Sequence, residues 1–479
     1  MNCPRGDLVR FIHFQQEIIA NLSSQNARLT SQIETLTARV KHLEEQARDN
    51  KRPQAPFSKG AGKKEPKAPG RKKGQGSFKR REAPEVRDPD QVVTIEVPLK
   101  DDQKTCACCQ VPMEISAEEA SIIDVPEVPA REITRFHVQT GKCPQCAKRV
   151  RGQHAALPAS QCGANAHQVG PRAMSLALSL HYEQGLPMRK VPAVLEQWTG
   201  IRLTQGGINQ KAIELCQDNG MLHQHYQRLH QEVEKSPVVN TDDTGWRING
   251  KQCWLMGFFT QCVSFFQIRW HHRHEEVLEV IGENFSGLLG TDRGTSYEAK
   301  ALDEMQMQKC LSHVLKNIST VEKSKEGPAK VFGRRLQKIL RESIQLWHEH
   351  REGKIDDDAY RQKGLKLEKA MEELLKARSL TDPDNQRLLD GLGRQMDRGR
   401  LTLFLKHPEI EPTNNVAERG LRPAVIARKV SHCSKNEKGA QAYAVMKTIL
   451  GTLKKRTKHV TEALACLLRG ESFEAACQR

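Results

Sequence analysis

The sequence predicts a multidomain α/β protein, and three observations carry that prediction. A heptad repeat occupies residues 1–48, two CxxC pairs lie within residues 93–160, and strand-like segments alternate with helical ones in residues 235–435. A chain of 479 residues, 37% of them hydrophobic, is long enough for about three domains with real cores. We therefore expect these three regions to fold as separate units.

The first 48 residues predict a leucine-zipper coiled coil. Leucine at one heptad position and β-branched residues at the other favour two parallel strands, and a seam asparagine can fix the register. The two sets are Leu8, Leu22, Leu29, Leu36 and Leu43, and Ile12, Ile19, Asn26, Ile33 and Val40. A single amphipathic helix packed on a core is the alternative. The zipper predicts a homodimer or higher oligomer.

Residues 49–92 predict a disordered basic linker. Between Lys51 and Arg81, twelve Lys/Arg stand against one Asp/Glu, which supplies +11 of the net charge of +17. Such a segment cannot bury apolar surface, but it can hold phosphates through charge. We expect a nucleic-acid partner, and the basic residues that would contact it include Lys72, Lys73, Arg80 and Arg81. A merely soluble linker is the alternative.

Residues 93–160 predict a zinc-binding module. Cys106 and Cys109 form one CxxC pair, and Cys143 and Cys146 form another. Four thiolates are a ligand set of tetrahedral structural Zn²⁺ and leave no open position for catalysis. Cys108 could replace either member of the first pair, and four buried thiols without metal are the alternative.

Residues 161–234 predict helices separated by Pro and Gly. Two of them, with a turn around Thr199–Gly200, could form a helix-turn-helix that binds DNA, although an ordinary helical bundle fits equally well. The chain after them, residues 235–435, predicts three consecutive strands and then a shorter one, with a charged helical insertion at about 320–400. Residues 436–479 predict C-terminal helices.

Acidic residues end two of these strands. Asp242 and Asp243 follow the first strand, Asp292 follows the later short strand, and Glu418 lies near a helix start. Three carboxylates from distant segments could hold Mg²⁺, a hard cation that prefers oxygen ligands and can promote phosphodiester chemistry. Each acid taken alone is more often a turn residue or a helix cap. The segment QKCLSHVLKNI, which follows the short strand, predicts a helix.

Other features bear on location and metals. No apolar run reaches the roughly 18 residues of a membrane helix, and no signal peptide is recognisable, so we expect a cytoplasmic protein without membrane contact. Cys310 and His313 share a helix face, but two ligands do not make a zinc site, and a structural role is the simpler interpretation. His271, His272 and His274 could bind metal or form a basic strand end.

Three motifs in this order resemble those of the insertion sequence 66 family of transposases. TDDTGW resembles the family's first motif and aligns its first catalytic Asp with Asp242, while Asp243 stands where Glu is usual. TDRGTSY aligns the second Asp with Asp292, accompanied by Tyr297 and the later CLSH. NNVAERGLRP is the longest match and aligns the third acid with Glu418.

The resemblance implies a DDE-type DNA transposase with a ribonuclease H-like catalytic domain. Asp242, Asp292 and Glu418 would hold Mg²⁺ or Mn²⁺, and Arg419 and Arg422 would meet DNA. Double-stranded DNA, both element ends and target, would be the partner, with companion proteins of the element also possible. A bacterial, nucleoid-associated location follows from the same resemblance. A catalytically inactive, zinc-containing DNA-binding descendant is the alternative. We expect Asn414 and Asn415 to cap the helix that carries the Glu.

Overall fold

The computed structural model describes residues 14–16, 18–34, 36–37, 40, 108, 111–112, 132–152, 169–323, 325–431 and 434–478. The chain divides into two compact units, Met1–Ile123 and Asp124–Arg479. The predicted basic linker, with Lys72, Lys73, Arg80 and Arg81, lies outside the described residues. None of the described helices combines the length and the apolarity that crossing a membrane requires.

The first unit contains a helix among its described residues. All described positions from 14 to 40 are helical, and their apolar heptad side chains are solvent-exposed. Ile19 and Ile33 are each 63% exposed in the single chain. Leu8, Ile12 and Leu43 lie outside the described residues. A single amphipathic helix packed on a core would bury this face, so the exposure favours the zipper interpretation, which stays a prediction.

The second unit starts with a hairpin and four helices. The hairpin strands β1 and β2 pair antiparallel, and the helices follow it in the chain. α2 ends at Gly200, whose φ is 66°, and α3 begins after Thr204, whose side chain accepts a hydrogen bond from Gly207 N–H. The elements are β1 (Thr140–Lys142), β2 (Arg149–Arg151), α1 (Pro171–Tyr182), α2 (Val191–Thr199), α3 (Gln205–Cys216) and α4 (Met221–Glu234).

A five-stranded mixed sheet forms the centre of the second unit. Its strand order is β5-β4-β3-β6-β7, in which β3 and β5 run antiparallel to β4, and β6 and β7 run parallel to β3. The strands, with the helix that connects β5 to β6, are β3 (Val238–Ile248), β4 (Lys251–Phe259), β5 (Ser264–Arg269), α5 (His274–Ile281), β6 (Leu288–Thr291) and β7 (Met307–Lys309).

Two predictions about these strands are wrong. β3 does not end at the acidic pair but continues to Ile248, because β4 pairs with it along its whole second half. The predicted helix from Gln308 begins only at Leu311, because residues 307–309 form strand β7 beside β6. Gln308 and Lys309 are buried polar residues at the sheet edge, so their composition gave no strand signal.

Helices make up most of the described residues that follow β7. They are α6 (Leu311–Glu322), α7 (Ala329–Arg351), α8 (Asp357–Leu375), α9 (Pro383–Asp397), α10 (Leu403–Lys406), α11 (Asn415–Ser431), α12 (Glu437–Arg456), α13 (Val460–Leu468) and α14 (Phe473–Cys477). One hydrophobic cluster joins α1–α5, the sheet and α11–α14, and a second joins α6–α10. The domain boundaries proposed from the sequence within this unit stay predictions.

Candidate active site

Asp242 and Asp292 both lie beyond the ends of parallel-paired segments. The pairing of β6 with β3 ends at Asn240, two residues before Asp242. β6 itself ends at Thr291, one residue before Asp292. In open sheets, ligands bind beyond the carboxyl ends of parallel strands, because the diverging loops leave a crevice there. The sheet therefore carries both acids at its carboxyl end, beyond the last residues of the β3–β6 pairing.

Asp242 lies in an environment that disfavours its charge. Burial raises the pKa of Asp242 from 3.8 to about 7, and repulsion from Asp243, Asp292 and Glu418 acts in the same direction. A hydrogen bond from the Asp243 backbone opposes the shift only in part. Within the described part of the chain, no basic side chain forms an ion pair with Asp242 or Asp292. The cluster is therefore a concentration of negative charge that an added cation would stabilise.

A tight loop after β6 holds the Asp292 side chain. Its Oδ1 accepts a hydrogen bond of 2.7 Å from Gly294 N–H. A Cβ at Gly294 would lie 3.0 Å from the same oxygen, so a side chain there would disturb the loop. Tyr297 follows in a short 3₁₀ helix, is fully buried, and has its hydroxyl 3.3 Å from Thr241 Oγ1. The loop is thus connected to the strand that carries Asp242.

Glu418 lies in the first turn of α11, which packs on β3 and β4. The close approach depends on Gly420, where a Cβ would lie 2.2 Å from the Phe259 ring. The glycine of the NNVAERGLRP motif therefore lets the helix lie against the sheet. This packing brings Glu418 near enough to Asp242 to raise the pKa of that carboxyl.

Asn414 does not cap α11 as we expected. Its side-chain Nδ2 donates to Thr241 O at 2.8 Å, and its backbone N–H donates to Cys310 Sγ at 3.2 Å. Thr241 lies just beyond the last β3 residue that pairs with β6. The buried amide therefore ties the start of α11 to β3, next to Asp242, and Asn415 is simply the first residue of the helix.

Asp243 has a different environment from Asp242. Adjacent side chains on a strand point to opposite faces. Asp243 Oδ1 lies 2.8 Å from His272 Nε2, and His272 stacks on Trp254 with ring centroids 4.8 Å apart. The hydrogen bond to Asp243 raises the pKa of His272 against the effect of burial. Of the three histidines noted in the sequence, His272 therefore pairs with an acid near the site.

Cys310, His313 and Glu418 come together in a way that the sequence did not indicate. Their ligand atoms all lie within 4.8 Å of one another, and His313 Nδ1 is 3.7 Å from Glu418 Oε1. Cys310 immediately precedes α6, and burial raises the pKa of its thiol despite hydrogen bonds from the backbone of Asn414, His313 and Ser312. The sequence pattern indicated two possible ligands, Cys310 and His313, and the structure adds Glu418 as a third group beside them.

A family comparison covers this whole constellation. The model described as Transposase IS66 family matches residues 166–442. This chain belongs to the IS66 transposase family. The match includes every candidate catalytic acid, whereas the heptad repeat and the CxxC pairs precede it. A search of curated proteins found no match.

Membership in a transposase family implies that the chain acts on DNA. The two arginines of the last motif lie on α11, close in sequence to Glu418. Arg419 is exposed and donates through Nε to Asn415 O at 3.2 Å within its own helix. Arg422 is also exposed. Neither forms an ion pair with Glu418 in the described residues, so both guanidinium groups remain accessible to phosphate.

The second CxxC pair of this IS66-family chain lies in the β1–β2 hairpin. Cys143 N–H donates to Lys148 O at 2.8 Å, and Ala147 N–H donates to Cys143 O at 3.0 Å. Ala147 has a φ of 57°, which turns the chain sharply after Cys146. Hydrogen bonds from the backbone of Cys146 and Gln145 lower the pKa of the Cys143 thiol. Cys106 and Cys109 lie outside the described residues.

Proposed function

We propose that this chain is a DDE-type DNA transposase that cleaves the ends of an insertion sequence and joins them to target DNA. One observation carries the proposal: Asp242, Asp292 and Glu418 come from distant segments, yet Asp242 is buried close enough to the other two that burial, with repulsion from both, raises its pKa. Phosphodiester chemistry needs such a group of oxygen ligands, because divalent cations must offset the charge on the phosphate.

The strand arrangement supports a ribonuclease H-like catalytic domain. Three antiparallel strands are followed by two strands parallel to the first, and the sheet order is β5-β4-β3-β6-β7. Asp242 lies on the first of these strands, Asp292 directly follows the fourth, and Glu418 lies on a later helix. The helices α7–α9, between β7 and α11, correspond to the proposed insertion.

The donor set fits Mg²⁺ or Mn²⁺. All three groups are carboxylates, two of them have no basic partner in the described residues, and Asp242 is destabilised in its charged form. When bound, such a cation would activate the attacking oxygen and stabilise the leaving one. Asp242, Asp292 and Glu418 would hold the cation and orient the scissile phosphate.

The proposed reaction has two steps, hydrolysis at the element end and joining to the target, and Arg419 and Arg422 would hold the DNA for both. At the element end, water forms a new P–O bond to the scissile phosphorus, and the old P–O bond breaks to release a 3′-hydroxyl and a 5′-phosphate. That 3′-hydroxyl then attacks a target phosphodiester, forms a P–O bond to it and displaces the target's own 3′-hydroxyl. Arg419 and Arg422, exposed on α11 near Glu418, would bind the phosphate backbone. No covalent protein–DNA intermediate is needed, so the mechanism requires no Ser or Tyr nucleophile.

The N-terminal segments would bring the DNA ends together. The exposed heptad side chains of residues 14–40 favour pairing with a second copy, and the basic linker would add salt-dependent DNA affinity. The hairpin that presents Cys143 and Cys146 would provide half of a structural Zn²⁺ site, completed by Cys106 and Cys109. Zinc analysis tests this ligand set: we expect Cys143→Ser to carry about one Zn²⁺ per chain less than the wild-type protein.

The test of catalysis uses isosteric substitutions. Asp242→Asn, Asp292→Asn and Glu418→Gln each remove one ligand charge and should lower cleavage and strand transfer at least about 10²-fold. Binding to end DNA should persist in a gel-shift assay, because the zipper, linker and zinc segment are unchanged. Glu411→Gln is the matched control: it lies just before the same motif, is half-buried, and should leave activity intact.

Companion proteins of the element must be supplied in this assay. Wild-type protein that binds end DNA but never cleaves it with Mg²⁺ or Mn²⁺ would favour the inactive DNA-binding descendant instead. Full activity of Glu418→Gln would reject the assignment of the third acid.

A further inference from the structure

The starts of α6 and α11 meet beside the end of β6. Cys310 N–H donates to Thr291 O at 2.8 Å, and Leu311 N–H donates to Pro412 O at 3.0 Å. Thr291 directly precedes Asp292, and Pro412 lies shortly before the helix that carries Glu418. Backbone hydrogen bonds therefore fix the Cys310 segment between two of the three candidate catalytic acids.

Three different ligand atoms converge at this junction. Cys310 Sγ, a ring nitrogen of His313 and a carboxylate oxygen of Glu418 lie within 4.8 Å of one another. Cys310 is 1% exposed, whereas the side chains of His313 and Glu418 are 40% and 43% exposed. The sulfur thus forms the floor of the cluster, and the imidazole and carboxylate form an open side that faces solvent.

Two buried polar atoms at the junction lack hydrogen-bond partners in the described part of the chain. His313 Nδ1 is one, since its 3.7 Å distance to Glu418 Oε1 is too long for a hydrogen bond. Asn414 Oδ1 is the other, on the residue whose backbone N–H donates to Cys310 Sγ. Buried polar atoms without partners cost free energy, so a bound ion, together with any water it holds, would stabilise this junction.

The chemistry of the three atoms selects the class of cation. Thiolate and imidazole are poor ligands for Mg²⁺, which prefers oxygen, but they suit Zn²⁺ and related borderline ions. Three protein ligands with an open fourth position are the arrangement of Zn²⁺ sites that exchange an external ligand. The N–H···S hydrogen bond from Asn414 would hold the sulfur in position, as outer contacts of metal ligands commonly do.

We propose that Cys310, His313 and Glu418 bind one divalent cation of the Zn²⁺ class, separate from the cation held by Asp242 and Asp292. The inference rests on the proposed function in one respect: Glu418 is shared, with one carboxylate oxygen for each cation. The borderline cation would fix the orientation of Glu418 and add positive charge where the DNA phosphate lies.

Cobalt titration of the full chain tests the site. The starting protein carries serine at the five cysteines of the N-terminal zinc segment, namely Cys106, Cys108, Cys109, Cys143 and Cys146. Co²⁺ bound to a thiolate gives a sulfur-to-cobalt charge-transfer band, which an all-carboxylate site cannot give. We expect one Co²⁺ per chain with this band, lost in Cys310→Ser, and affinity lowered at least about tenfold in His313→Gln.

A matched control separates this site from other thiols. Cys262 is an exposed cysteine between β4 and β5, and Cys262→Ser should keep the band. A band that persists in Cys310→Ser, or its absence from the starting protein, would overturn the proposal. If Cys310→Ser fails to fold, His313→Gln provides the test, because His313 is half-exposed and its replacement should not disturb folding. Unchanged Co²⁺ affinity in His313→Gln would also overturn the proposal.

Asp292→Asn distinguishes this inference from the proposed function. That variant should keep the Co²⁺ band while losing cleavage. Normal cleavage in Asp292→Asn would reject the transposase mechanism and leave the cobalt site unaffected. No band in the starting protein, together with loss of cleavage in Asp292→Asn, would reject only the cobalt site.

Discussion

Two groups of carboxylates near the end of β6 differ in whether basic side chains of the protein pair with them. Glu298 and Asp303 are matched by cations: Lys309 Nζ lies 2.8 Å from Glu298 Oε1, and Arg400 Nη2 lies 3.2 Å from Asp303 Oδ1. Asp242 and Asp292, by contrast, have no basic partner in the described residues. The protein therefore supplies its own countercharge to the first group and leaves the second to an external cation.

The pKa shifts of Glu298 and Asp242 have opposite directions, because among the described residues only Glu298 has basic partners. Burial raises the pKa of Glu298, but hydrogen bonds from Lys309 and Gln395, together with the charges of Lys309 and Arg400, outweigh burial and lower the pKa. Burial and neighbouring carboxylates together raise the pKa of Asp242 to about 7. Burial alone thus does not mark a functional acid, whereas burial among like charges without a basic partner does.

The largest expected effect on stability is in the matched group. Glu298→Gln leaves Lys309, whose side chain is only 1% exposed, without its carboxylate partner, whereas Arg400 keeps its ion pair with Asp303. Breaking a buried pair leaves an uncompensated charge, so we expect a loss of about 3 kcal/mol in the free energy of unfolding, measured with urea. Asp292→Asn, measured without divalent cations, should be neutral or slightly stabilising, since it removes a repulsive charge.

Equal changes in the free energy of unfolding in these two variants would contradict the contrast between the two groups of carboxylates. Equal destabilisation by Glu298→Gln and Asp292→Asn would mean that Asp292 has a stabilising partner in the protein.

The next expected effect is a pH-dependent response to Mg²⁺. Because the pKa of Asp242 is raised from 3.8 to about 7, its contribution to the stability of the cation-free protein is fully present below about pH 4 and is lost as the pH rises through about 7. Protons and Mg²⁺ compete for this carboxylate, so the increase in Tm on adding Mg²⁺ should be larger at pH 8 than at pH 6.

Asp242→Asn provides the control for that experiment. The variant should show a small Mg²⁺ effect that no longer increases between pH 6 and pH 8. An unchanged pH profile in Asp242→Asn would assign the titration to another group.

The smallest expected effect is at Asp243. Asp243→Asn removes the ion pair with His272 but leaves Asp242, Asp292 and Glu418 in place. We expect cleavage to fall less than about tenfold, well below the loss in Asp242→Asn. Comparison of the two variants in the same cleavage assay checks the register of β3. An inactive Asp243→Asn beside an active Asp242→Asn would exchange the roles of the two residues.

The sequence indicated the candidate acids more directly than their surroundings. Short apolar runs that precede acids are a local signal and pointed to Asp242 and Asp292, and the motif resemblance added Glu418; the catalytic role of all three stays a prediction. The extension of β3 to Ile248 was not predictable in the same way, because it depends on pairing with β4. Strand β7 was missed since its buried residues include Gln308 and Lys309, whose partners come from elsewhere in the chain.

Contacts between distant segments were beyond sequence reasoning. Asn414 looked like a helix cap, but it donates to Thr241, 173 residues away. His313 was paired with Cys310 on one helix, whereas the third group, Glu418, joins them only because α11 packs against the sheet. Local patterns report local propensity, and a site assembled from several elements depends on tertiary packing.

Direct measurement of cation binding tests the central claim. Mn²⁺ should be titrated into the full chain and into the triple variant Asp242→Asn, Asp292→Asn, Glu418→Gln, with bound ion counted by electron paramagnetic resonance. Glu298→Gln, in the matched group, serves as the control. We expect the wild-type chain and Glu298→Gln to bind at least one Mn²⁺ that the triple variant does not bind. Equal Mn²⁺ binding by the wild-type chain and the triple variant would contradict the account.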